Sequence, residues 1–349
     1  MDSNRITDIV EKYRFKPFRK KQLTQAFFGD FSEHISDVTT LSKGDRDRLK
    51  GESVLAININ EVYASEDGRC YKALVGLSDG KFVETVLMAP RPDYWTTCIS
   101  SQAGCALACS FCATGKLGLL RNLKAEEITD QVLFWLQFIK KHDLNIKLRN
   151  VVYMGMGEPF QNRRQVYASL QELMNPDTFG FGARHLSVST AGLVKPIYEM
   201  AEQFPQVNLA LSLHAANDEL REKLMPINKS YNLEDLAKAL SDYMAKTNRK
   251  VFVEYILLEN ENDTPEHAKE LATYLKSIKP FKLLHVNLIV YNPTDSVHAQ
   301  SPKDVARRFL YVLEKNGVSA TIRKNLGRDI DGACGQLAGK VHPERVIKS

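Results

Sequence analysis

Three cysteines stand within eight residues, Cys105-Ala-Leu-Ala-Cys109-Ser-Phe-Cys112, a C-x3-C-x2-C spacing in a chain of 349 residues. Thiolates ligate iron–sulfur clusters and zinc alike, so ligand count matters. Three cysteines leave one iron of a four-iron cluster open to another molecule, whereas a closed structural zinc site takes four protein ligands. The spacing points to a redox-active iron–sulfur cluster with one open position, and Phe111 beside the last cysteine shields it. Two more cysteines lie apart: Cys98, seven residues before the first of the three, and Cys334, in Asp-Gly-Ala-Cys-Gly-Gln-Leu. Gly332 and Gly335 flank Cys334 in a polar, turn-like stretch, which suits an approachable thiol better than a buried apolar one. Cys70 has no such setting and reads as structural.

Polar residues recur where apolar runs end. Gly157 and Glu158 follow NVVYM, Ser189 lies in the last residues of HLSVST, Ser212, Leu213 and His214 close NLALSLH, and Asn292 follows HVNLIVY. Glycines let backbone approach a ligand, and a carboxylate such as Glu158 can accept from an ammonium. Each lone Ser, His or Asn is also a common helix cap. Four such groups at the ends of four apolar runs suggest one shared site.

The elements that must position these groups follow from periodicity. Residues 1–50 hold short helical patterns (ITDIVEKY, FRKKQLTQAFFG, DVTTLSKGDRDRL), read as an accessory domain. Residues 51–95 change to period two in VLAININEVYA, CYKALVGLS and KFVETVLMA, with EDG and SDG turns between them, a short antiparallel β element. Over residues 96–349 strands alternate with helices. The strands are TTCISS, NVVYMGM, HLSVST, VNLALSL, VFVEYILL and LLHVNLIVY, several of them nearly all apolar, as parallel strands covered on both faces are. Six βα units imply an α/β fold, a partial (βα)6 barrel, with a doubly wound open sheet as the alternative. In both, chemistry sits at the strands' C-terminal ends.

Bulk properties set the frame. The chain is 44% apolar and 26% charged, ordinary for a globular protein. No apolar run approaches a membrane span, and MDSNRITDIVEKY lacks the apolar stretch of a secretory signal, so the expectation is a cytoplasmic, monomeric protein. Net charge is +5, with +3 in residues 1–50, −3 in the middle and +5 in residues 303–349. Basic ends suit a polyanion, although so mild a charge is also an ordinary solvated surface.

The three-cysteine spacing resembles that of the radical S-adenosylmethionine (SAM) enzymes. CISSQAGCALACSFCATG, VVYMGMGEP, LSVST, LSLHA, MPIN, VNLIVYNP and DIDGACGQLAG, in this order over roughly residues 82–340, make the chain similar to the RlmN/Cfr adenine methyltransferases within that superfamily. The resemblance implies a 4Fe–4S cluster on Cys105, Cys109 and Cys112. It also implies SAM, two per turnover, near Gly157, Glu158, Ser189, Ser212, Leu213, His214 and Asn292. The family's target carbon is electron-poor and cannot attack a SAM methyl, so the family works indirectly. By resemblance, Cys334 carries the methyl group as S-methylcysteine and becomes bonded to the base, Cys98 forms a transient disulfide with Cys334 to release it, and Glu84 accepts the ring proton. Read alone, Glu84 is an exposed strand carboxylate. The implied partners are 23S rRNA (adenine 2503), tRNAs (adenine 37), an electron donor such as flavodoxin, and no membrane, with RFKPFRKK from Arg14 to Lys21 as an accessory RNA contact. Pro159 in GMGEP favours methylation at carbon 2 over the Cfr-like carbon 8; a non-catalytic zinc- or RNA-binding module is the reading from another class.

Overall fold

The computed structural model describes residues 1–91, 94–294 and 296–338. Helices open the chain because capping residues stand before them. Asp2 accepts from Arg5 N–H at 2.8 Å and Ser42 from Asp45 N–H at 3.1 Å, each satisfying a first-turn donor. They introduce α1 (Ser3–Lys12) and α3 (Lys43–Arg48), with α2 (Phe18–Thr24) between. Ile6, Ile9, Leu23, Phe27, Leu41 and Leu49 form a small core with Leu133, which comes from further along the chain. Arg5 donates to Glu126 at 2.7 Å across the same contact.

The period-two stretch folds as β1 (Asn58–Ala64), β2 (Cys70–Gly76) and β3 (Phe82–Arg91), paired antiparallel. The barrel then begins with β4 (Tyr94–Cys98). The pair β5 (Gln102–Gly104) and β6 (Leu119–Asn122) follows, with the four-residue helix α4 (Ala113–Lys116) between its strands, and then α5 (Ala125–Lys141). Beyond come β7 (Leu148–Tyr153), α6 (Arg163–Met174), β8 (Leu186–Thr190), α7 (Val194–Gln203) and β9 (Asn208–Ser212). After α8 (Asp218–Leu224) and α9 (Leu233–Thr247) the chain ends as β10 (Val251–Leu257), α10 (Pro265–Ser277), β11 (Leu284–Val290), α11 (Lys303–Lys315) and β12 (Ala320–Ile322).

One sheet holds ten strands in the order β1-β2-β3-β4-β7-β8-β9-β10-β11-β12. From β4 onward every pairing is parallel and follows chain order. A doubly wound sheet would reverse its order at a central strand. The sequential order is a barrel's, and β1 and β12 remain as edges, so the barrel is partial. The six strands read from the sequence are all present. The three-residue β12 was not foreseen, being too short to show a period.

The antiparallel strands are not a separate element. β3 pairs with β4 through Val86↔Cys98, Leu87↔Thr97 and Met88↔Thr96, so the barrel sheet continues into them. Burial explains this: seven consecutive residues of β3, Val83 to Ala89, are buried or nearly so, which a sheet edge would waste. Among the described residues no helix is long and apolar enough to cross a membrane.

Candidate active site

The loop from Cys105 to Cys112 leaves β5 and enters α4. Gly104 makes this possible: at φ +74° its missing Cβ would fall 1.9 Å from the Gly118 carbonyl oxygen, so only glycine lets β5 close on the return segment. The three thiols face one chamber at the C-terminal ends of the barrel strands, which also receives Gly157, Glu158, Ser189, Ser212, His214 and Cys334. Burial, then the neighbouring thiols, push Cys109 up; burial also raises Cys112, and it takes Cys105 to about 11. Such thiols are poor anions by themselves, so a group taking them as thiolates must bring positive charge. Among the described residues no three Cys, His, Asp or Glu side chains converge on a single metal ion. Three thiols lining one chamber offer ligands to a multi-iron cluster and leave one of its corners for another molecule.

The strand ends supply the rest. Gly155 and Gly157 are required by packing: Cβ atoms there would meet Ile99 O at 2.7 Å and Gln102 Cβ at 2.5 Å, and Gly157 holds φ +97°. The room the sequence reading gave to a ligand is taken by the chain's own β4–β5 segment, although both glycines line the chamber. Glu158 is buried, its Oε1 accepting from Phe160 N–H at 2.9 Å and its Oε2 from Ala191 N–H at 2.8 Å. Burial outweighs those bonds and lifts its carboxyl to about 7. Ser189 and Ser212 place their hydroxyls 3.5 Å apart.

His214, at φ +62°, accepts Ile256 N–H on Nδ1 at 3.0 Å, so the neutral ring keeps its hydrogen on Nε2. Burial, then the Arg221 charge, press its pKa down to about 3, and Phe111 meets the ring edge-on at 4.9 Å. Leu213 is fully buried and contributes backbone: its N–H bonds Glu254 O at 3.0 Å and its carbonyl accepts from Arg221 Nε at 3.1 Å. Asn292 donates from Nδ2 to Cys334 O at 3.3 Å, while its buried Oδ1 has no hydrogen-bond partner among the described residues. A buried acceptor left open at a chamber wall suits a donor from a ligand such as the SAM ammonium.

The C-terminal segment crosses from one sheet edge toward the other and brings in Cys334. Gly335 O accepts from Ala113 N–H at 2.9 Å, and Leu337 O accepts from the Thr114 hydroxyl at 2.6 Å. The loop is thereby stitched to the helix that directly follows Cys112. Cys98 lies behind, at the end of β4, 4% exposed and opposite Val86 and Val152. Burial, and then the Cys334 thiol, push its thiol up. Cys70 is fully buried under the Gly327 turn, where a Cβ on Gly327 would sit 2.4 Å from its sulfur.

Glu84 differs from the sequence reading. It is no exposed strand carboxylate but 1% exposed, paired with Lys72 at 2.9 Å, and it accepts Ala338 N–H at 2.7 Å. It sits behind the Cys334 loop and does not line the chamber. Cys98, Leu213 and Asn292 likewise stand in the wall rather than on it.

Two charged residues of the chamber escaped the sequence reading. Arg323, just after β12, donates to Glu254 Oε2 at 3.1 Å, and Asn287 Nδ2 holds Oε1 at 2.8 Å. Burial opposes the Arg323 charge, but Glu254 and then Cys334 outweigh it and keep the guanidinium charged. Glu254 was findable as the one charged residue inside VFVEYIL. Arg323 was not, because the strand before it is too short to place it.

The chain's relatives agree with this geometry. The model of the radical SAM superfamily matches residues 99–275. A probable dual-specificity RNA methyltransferase RlmN from Chloroflexus aurantiacus is 39% identical over 96% of this chain and 90% of its own length. The ribosomal RNA large subunit methyltransferase Cfr of Staphylococcus warneri is 40% identical over 96% of this chain and 95% of its own. A crystal structure of a radical SAM methyltransferase from Sphaerobacter thermophilus superposes with a TM-score of 0.91 at 36% identity, covering 97% of this chain and 98% of that one. The superfamily's cofactors are a 4Fe–4S cluster and SAM. Cluster spacing, chamber and relatives together make the chain a member of the radical SAM superfamily and, within it, of the RlmN/Cfr family of RNA methyltransferases.

Proposed function

We propose that the protein methylates carbon 2 of an adenine in 23S rRNA, with tRNA adenine as a further substrate, using Cys334 as the methyl carrier. The observation that carries this reading is the placement of Cys334 in one chamber with Cys105, Cys109 and Cys112, its loop bonded to the helix that follows the last of them. Cluster and SAM, when bound, supply the methyl group and the radical that activates it. Cys105, Cys109 and Cys112 would hold the cluster, while Glu158, Ser189, Ser212 and His214 line the space SAM would take, with Asn292 in the wall behind. The neutral His214 offers an Nε2–H donor, and Asn292 an unused acceptor.

Cys334 gives up its thiol proton on taking the methyl group and becomes linked through that carbon to the base. Glu84 accepts the ring proton in this reading, which requires the loop to part from it at Ala338. Cys98 then attacks the Cys334 sulfur as a thiolate, the disulfide forms, and the carbon–sulfur bond breaks with its electron pair going to the carbon, which takes up a proton to become the product's methyl group. The chain works in the cytoplasm as a monomer, reduced by a donor such as flavodoxin.

Carbon 8 is the second reading, because the Cfr relatives match as closely as the RlmN ones. Pro159, which starts the single 3-10 turn after Glu158, supports carbon 2. The test uses anaerobically reconstituted protein with SAM, a reductant and protein-free 23S rRNA, followed by nucleoside mass spectrometry. 2-Methyladenosine is the expected product; 8-methyladenosine would move the protein to the second reading, and absence of both would overturn the substrate.

A further inference from the structure

A buried ion pair lies behind the Cys334 loop and outside the chamber. Lys72 on β2 faces Val86, and Leu74 faces Glu84 on β3, so Lys72 and Glu84 are diagonal neighbours on one face of the sheet. Their side chains are 1% exposed each, with Nζ 2.9 Å from Oε1. Two apolar residues would fill this position without the cost of stripping water from two charges, so the fold gains something else from the pair.

What it gains is visible in the remaining contacts. Glu84 Oε2 accepts Ala338 N–H at 2.7 Å, and Lys72 Nζ reaches the Asp331 carbonyl at 3.5 Å. Asp331 lies three residues before Cys334 and Ala338 four residues after it. The pair therefore grips both ends of the thiol loop. On the other side Asn292, Ala113 and Thr114 bond the backbone at residues 334, 335 and 337. Cys334 is suspended between the ion pair and the cluster helix, and its position is set by both.

We propose that Lys72 is a positioning residue which, through Glu84, holds the Cys334 loop against the cluster helix. The proposal rests on the reading of Cys334 as methyl carrier. Lys72 touches neither the thiol nor the chamber; it fixes the Glu84 carboxylate, and the two together fix the loop.

The test compares cluster-loaded wild type with Lys72→Met, the double variant Lys72→Met/Glu84→Met, and Lys72→Arg. The double variant leaves no unpaired buried charge, so it keeps the fold and the iron content. Hydrogen–deuterium exchange over residues 331–338 is expected to rise at least tenfold in the Met variants, with β2 and β3 still protected. Methyl loading of Cys334, read by peptide mass spectrometry, is expected to fall at least tenfold, and Lys72→Arg to recover most of both. Ala338→Pro, which removes the N–H that Glu84 accepts and also fixes the backbone at 338, is expected to release the loop even where the double variant does not fold. Unchanged exchange in a folded Met variant or in Ala338→Pro would overturn the proposal. Failure of the carrier reading shows separately, as wild-type Cys334 that never acquires a methyl group.

Discussion

Cys98 and Cys334 differ in every property except the atom they offer. One is a strand residue buried among valines, the other a partly exposed residue in a turn. In the proposed reaction the first thiol waits and the second meets the ligand. Cys334→Ala is expected to keep full iron content and lose all methylation, whereas Cys98→Ala is expected to accumulate a covalent protein–RNA adduct, visible as a shifted band sensitive to nuclease. Normal turnover by Cys98→Ala would remove the disulfide step from the reaction.

His214 gives a second expectation at this scale. Its folded pKa is depressed below that of the unfolded chain, so the unfolded state takes up the proton first. Stability is lost as pH falls from 6.5 toward 3, by about 2 kcal/mol between pH 6.5 and 5. His214→Asn, whose amide oxygen can replace Nδ1 as acceptor, should flatten that slope in urea titrations. The cysteines and strand-end residues could be read from type and spacing alone. The burial of Glu84 could not, because Lys72 and Ala338 approach it only through the folded sheet and the C-terminal segment.

Among the elements, strand order decided the architecture. The six apolar runs were plain in the sequence because a parallel strand covered on both faces carries little else. The fusion of β3 to β4 was not, since period two reports a strand and says nothing of its neighbour. The turn after β7 shows how local this geometry is. Gly157→Ala would drive a Cβ to within 2.5 Å of Gln102 at a φ that alanine adopts badly. A loss on the order of 2 kcal/mol follows, measurable by denaturant unfolding, with SAM binding weakened in the same variant.

The stitch between α4 and the Cys334 loop adds a prediction about the metal. Removing iron with a chelator leaves the three thiols without the charge that fixes them. Exchange at residues 105–115 and 333–338 should then rise together, because Ala113 and Thr114 of the first segment bond Gly335 and Leu337 of the second. Independent behaviour of the two segments would mean that the bonds carry no coupling.

At the scale of the whole molecule, charge and core are divided. The N-terminal helices have their own apolar cluster and leave Arg14, Lys16, Lys20 and Lys21 exposed, while Arg19 is bonded to Asp45 at 2.6 Å. The first four can meet phosphates, and the fifth is already neutralised. Replacing Lys16, Lys20 and Lys21 with alanine should weaken RNA binding at every sequence alike and reduce the log–log salt slope by roughly two. An unchanged slope would make the stretch an ordinary solvated face. Composition hinted at this asymmetry, but only the structure separates the paired arginine from the free cations.

The open side of the barrel has a further meaning. β1 and β12 do not meet, and the segment from Arg323 to Ala338 lies across that side, touching β2 and β3 on one flank and the residues after β11 on the other. The three-cysteine loop and Cys334 are thus carried on different stretches of chain, one woven into the sheet and the other laid over it. The tail is nonetheless tied to what lies beneath it, at Lys72 and Glu84 on one side and at Ala113, Thr114 and Asn292 on the other. A change of chemistry on this frame therefore has to alter the tail together with its anchors on β2, β3 and α4.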